Sequence, residues 1–169
     1  MSVKSSRLAV IGVGFVLFAA GIAGCGGDDD GDSGPLTKDE FIAQADQICA
    51  DATASTDAQE EEFNSAIEGE DLEAAADLLT EGNTTVEDAI AEIEALEPPE
   101  EDQATVDEFI ELSHQQADLG TELADAVRAG DGATIDELSA QANDLEEQSD
   151  TLADDYGMVD CGSASDDDA

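Results

Sequence analysis

The sequence predicts an all-α domain, an antiparallel up-down bundle of four helices arranged as two αα-hairpins, behind an apolar leader and an acidic linker. Three observations carry this. Apolar residues recur every three or four positions over most of residues 36–162, the repeat of a helix that buries one face. Helix-start and helix-stop signals cut that stretch into four. Aromatics are scarce, with five Phe, one Tyr and no Trp in 169 residues. Ala, Leu and Ile must then fill the core, which favours helices over packed sheets.

Residues 1–24 carry Lys4 and Arg7, then the uncharged run LAVIGVGFVLFAAGIAG at 8–24. A positive start followed by an apolar stretch is the pattern of a secretory signal. The competing reading is an uncleaved membrane helix, and the run sits at the short end of a span. Four glycines interrupt it. Ile22-Ala23-Gly24-Cys25 resembles the lipobox of bacterial lipoproteins, in which an aliphatic residue and two small ones precede a cysteine. The resemblance implies lipid on the Cys25 sulfur, cleavage after Gly24, and a domain held on the extracytoplasmic face of the cell membrane. More than one acyl chain gives stable anchoring. Residues 25–35, rich in Gly and Asp, then read as a flexible linker.

The first helix opens at Thr37-Lys38-Asp39-Glu40, a capping box in which hydroxyl and carboxylate serve each other's backbone amides. Phe41, Ala45, Ile48 and Ala52 make its stripe. Thr53 to Thr56 is expected to weaken it, and Phe63, Ala66 and Ile67 restore it before Gly69. The second helix is expected to turn Leu72, Ala76, Leu79, Val86, Ile90 and Ile93 inward, with a kink or break at Gly82-Asn83 and an end before Pro98-Pro99. The third spans about 100–128, with Val106, Phe109, Ile110, Ala117, Leu123 and Val127 facing inward. The fourth is expected to start at a second capping box, Thr134-Ile135-Asp136-Glu137, and to stop at Gly157. SAIEGED at 65–71 and DAVRAGD at 125–131 echo each other across the two hairpins. Residues 163–169, SASDDDA without its apolar partners, form an acidic tail expected to be disordered.

With Cys25 lipidated, Cys49 and Cys161 remain. An even pair outside the cytoplasm predicts a disulfide, and a bundle that brings the end of helix 4 beside the start of helix 1 would let them meet. The alternative is two buried thiols. Two sulfurs without CxxC spacing or a partner His do not make a metal or redox motif.

The chain holds 45 acidic residues against 4 Lys or Arg and one His, a net charge of −41. Loss of residues 1–24 removes Lys4 and Arg7 but no acid, taking the charge to −43. Neutralising phosphates needs Lys and Arg, so nucleic acid is excluded as a partner. Such a surface suits high salt, where like charges are screened. Glu111-Leu-Ser-His114 has the spacing of a di-iron bundle motif, but that centre needs the pair twice and the chain has one His. His114 is therefore expected on the polar face. No catalytic set, cofactor site or dedicated metal site is expected. Weak divalent-cation binding to diffuse carboxylates is the alternative use of the acids.

Phe41, Ile42, Ala45, Asp46 and Cys49 near one end, with Tyr156, Gly157 and Cys161 near the other, resemble small uncharacterised actinobacterial helical lipoproteins and secreted proteins. That resemblance spans about 36–162. It implies the helical fold, the Cys49–Cys161 bond and export, and no chemistry. The expected role is a non-enzymatic envelope binding or interaction module whose partner is another envelope component.

Overall fold

The computed structural model describes residues 34–162. Ile22, Ala23, Gly24 and Cys25, the linker up to 33 and the tail 163–169 lie outside the described residues.

The described residues form four helices and no strand: α1 (Lys38–Glu68), α2 (Leu72–Glu94), α3 (Gln103–Ala129) and α4 (Gly132–Tyr156). No helix among them is long and apolar enough to cross a membrane. α1 packs on α2, α2 on α3 and α3 on α4, but the backbones of α1 and α4 do not approach each other. Two apolar clusters hold the helices at opposite ends. One gathers Phe41 and Ala45 of α1, Ile93 of α2, Val106 and Phe109 of α3, and Ala153, Tyr156 and Met158 at the end of α4. The other gathers Ala75, Ala76 and Val127, with Phe63, Ala66, Leu123 and Ile135 packed against them.

The first helix starts as the sequence predicts. Glu40 N donates to Thr37 Oγ1 at 3.3 Å, and Thr37 N donates to Glu40 Oε2 at 3.0 Å. The Thr37 hydroxyl, which also donates to Glu40 Oε2 at 2.6 Å, and then the Thr37 N–H hold the Glu40 carboxyl below its ordinary range. α1 runs unbroken for 31 residues through Thr53–Thr56, where its apolar stripe lapses. Ser55 and Thr56 turn their hydroxyls back onto the Asp51 and Ala52 carbonyls, at 2.8 and 3.3 Å, so they add no unmet polar group to the helix.

Three expectations are corrected. α2 passes through Gly82-Asn83 without a break. Its packing on both neighbours outweighs the weak propensity of those residues, and Asn83 Nδ2 donates across to Thr121 Oγ1 of α3 at 3.1 Å. Ile67 and Leu72, expected on the buried stripe, are 43% and 38% exposed because they flank the turn, beyond the reach of the next layer. The Thr134/Glu137 capping box does not form. α4 begins earlier, capped by Asp131, which accepts from Thr134 N at 3.3 Å and from Thr134 Oγ1 at 2.9 Å. A carboxylate at the N-cap also meets the positive end of the helix dipole, so Asp131 outcompetes a hydroxyl three residues on.

The two echoing segments fold alike. Asp71 N donates to Ala66 O at 2.9 Å, and Asp131 N donates to Ala126 O at 3.0 Å. In each turn the residue before the Asp is left-handed: Gly130 at φ 65° and Glu70 at φ 56°. Gly157 takes the same role at the end of α4, with φ 104°.

Beyond Gly157 a short strap returns to α1. Met158 is buried, Asp160 N donates to Asp46 Oδ1 at 3.0 Å, and the Cys49 and Cys161 sulfurs lie 2.04 Å apart, at bonding distance. Gly162 then seats where a Cβ would collide with the Asp154 carboxylate. The strap ties α4 to α1 at the one end where their side chains meet.

Candidate functional site

The backbones of α1 and α4 do not come together, although their side chains meet at the strap end. A groove of about 390 Å³ opens between α1, α2 and α3, and no α4 residue lines it. Its floor is Phe63, Leu78, Leu79, Val86 and Leu123. All five are half-buried, and Phe63, Leu79 and Leu123 also pack against the Ala75, Ala76 and Val127 cluster. Gly82 and Gly120 also line it and add no side chain. A Cβ on Gly82 would meet Gln59 Oε1 and Thr56 Cγ2 at ordinary contact distances of 3.7 and 3.9 Å. One on Gly120 would collide with Asn83 Oδ1, so glycine there lets the Asn83 amide lie across α3 and reach Thr121.

Asp57 and Glu60 of α1 stand at the edge. Both are exposed, and neither pairs with a cation among the described residues. The acids continue along the outer face of α1 through Glu61 to Glu68. The two cationic side chains of the described residues are engaged elsewhere. Lys38 Nζ sits 4.0 Å from the centroid of the Tyr156 ring, a cation–π contact at the strap end. Arg128 reaches Asp125, Asp77 and Glu73 at 3.0, 3.1 and 3.7 Å. The groove therefore combines an apolar floor with an edge of one sign.

The strap end is a tighter polar site. Tyr156 is 6% exposed, its ring meets Phe41 edge-on at 6.0 Å, and its hydroxyl donates to Asp102 Oδ2 at 3.1 Å. Burial, and then the Asp102 carboxylate, push the phenol up to about 12. A phenol held so firmly protonated is a structural donor.

Cys49 and Cys161 come together as expected. His114 is exposed on the polar face, and it also pairs with Glu94 of α2 at 3.1 Å, across the helix seam rather than with Glu111. Among the described residues no group of three or more His, Cys, Asp or Glu side chains is placed to hold a metal ion. Ser149, inside the apolar stripe of α4, is buried and within 3.4 Å of Gln116 Oε1 and 3.1 Å of Glu146 O. The groove itself was not foreseen. Its one sequence signal was polar or glycine residues (Thr56, Gln59, Gly82, Gly120) at positions where a closed bundle would place Leu or Ile. No protein-family model, curated protein or solved structure matches this chain.

Proposed function

We propose that this chain is a lipid-anchored, extracytoplasmic, antiparallel up-down four-helix bundle that serves as a non-enzymatic binding module of the cell envelope. The anchor rests on the Lys4/Arg7 start, the apolar run and the Ile22-Ala23-Gly24-Cys25 pattern. The up-down arrangement is supported by the two clusters. The starts of α1 and α3 share one of them with the ends of α2 and α4, and the opposite ends supply the other. The observation that carries the binding role is the groove: about 390 Å³ of partly apolar space open to solvent between α1, α2 and α3. Small-molecule sites are of this size and character.

Two measurements test it. Cells fed a clickable palmitate analogue should label the wild-type chain and leave Cys25→Ala unlabelled and outside the membrane fraction. Equal labelling of both removes the anchor. A photo-crosslinking residue placed at Val86 in living cells should give one discrete adduct that the same residue at exposed Asp107 does not. If Val86 stays unadducted, the groove is not used for binding.

A further inference from the structure

We infer that the α1–α2–α3 groove binds a small organic cation with an apolar body, of the alkyl- or arylammonium class. This rests on the binding role proposed above and names its ligand. The floor of Phe63, Leu78, Leu79, Val86 and Leu123 asks for an apolar body. Burying a methylene there contributes about 0.8 kcal/mol, so each added CH₂ strengthens binding roughly fourfold. The edge asks for positive charge. Asp57 and Glu60 border the groove, neither has a cationic partner among the described residues, and Lys38 and Arg128 are held elsewhere. Phe63 brings an aromatic ring to the lining, and such rings attract an ammonium head.

The other occupants fit less well. An anionic lipid or fatty acid meets a chain of charge −41. A second copy brings the same charge to the same face and is repelled. A cationic amphipathic helix shares the chemistry but needs a long trough. This groove is instead a compact space of about 390 Å³, of the size that takes a small ligand.

The test titrates hexyltrimethylammonium, below its micelle range, into the full chain held in phosphatidylcholine nanodiscs. Heat is recorded at fixed ionic strength, with empty discs subtracted. One cation should bind per chain, saturably, and the butyl homologue, two methylenes shorter, should bind roughly fifteenfold more weakly. Gly82→Leu should remove at least about ten-fold of the affinity, because its side chain fills the floor while leucine suits the helix better than glycine. Asp57→Asn with Glu60→Gln, both exposed and without a folding role, should weaken binding roughly five- to tenfold. The inference is overturned if uptake does not saturate, if tetramethylammonium binds as well, or if Gly82→Leu and the double variant bind like wild type. Those are the marks of a diffuse ion atmosphere. A Lys/Leu amphipathic helical peptide is titrated alongside. Should the peptide alone bind, and Gly82→Leu abolish it, the ligand assignment fails while the binding role stands. Failure of both probes, together with an unadducted Val86, removes both readings.

Discussion

Glu70 occupies a position that its own sequence echo gives to glycine. SAIEGED and DAVRAGD superpose residue for residue, Ala66 on Ala126 and Asp71 on Asp131, and their closing hydrogen bonds agree. Yet the left-handed residue is Gly130 in one turn and Glu70 in the other. A side chain costs something in that region that glycine does not. Glu70→Gly should therefore stabilise the domain by about 0.5–1 kcal/mol in urea unfolding, whereas Gly130→Glu should destabilise it by a similar amount or more. Tyr156 gives a second prediction at this scale. Its phenol is raised from an ordinary 10.0 to about 12, so its neutral form is the one that the fold favours. That contribution is whole below pH 10 and is lost as pH climbs towards 12. The melting temperature should fall across that window in wild type and much less in Tyr156→Phe. The capping box at Thr37 was readable from sequence because its partners lie three residues apart. The hydroxyl of Tyr156 finds Asp102 across 54 positions, and no local pattern announces such a pair.

The helices themselves were readable wherever one face is apolar and the ends carry strong signals. Gly157 stops α4 and Thr37 starts α1 as expected. The errors fall where two local rules compete. The sequence pointed to Thr134 as the cap of α4, and the structure gives that place to Asp131, three residues earlier. At Gly82, propensity predicted a break, but contacts with α1 and α3 carry the helix through. The glycine still weakens α2, since a methyl there would meet its neighbours at ordinary contact distances. Gly82→Ala should raise stability by about 1 kcal/mol, read as a shift of the urea midpoint with unchanged slope. A loss of stability would mean that the groove wall tolerates nothing at that position.

For the whole molecule, charge and the strap oppose each other. A net charge of −41 pushes the compact state apart, more strongly at low salt where the screening length is about 10 Å or longer. The Cys49–Cys161 bond closes 112 positions and stabilises by up to about 4–5 kcal/mol in the chain-entropy view. That is a large part of the stability a domain of this size usually has. Reduction should therefore lower the melting temperature steeply at low NaCl, with 1 M NaCl restoring much of it. A salt series that left the reduced protein unchanged would show that repulsion is not the opposing force. Four helices and the cysteine pair could be foreseen because they follow from periodicity and parity. The groove could not, because it depends on how far α1 and α4 diverge, which is decided by packing at both ends of the bundle rather than by any stretch of sequence.

The strap also fixes where a mechanical load would run. The described residues begin at Gly34 and end at Gly162, on the two outer sides of the Cys49–Cys161 link. Tension applied between the two chain ends passes along the first turns of α1, through the two sulfurs, and out through the last residues. Almost everything between them, including the groove, is off the load path. Only the short stretches outside the link can be drawn out, so in a single-molecule pull the oxidised chain should extend by a small fraction of what the reduced chain gives.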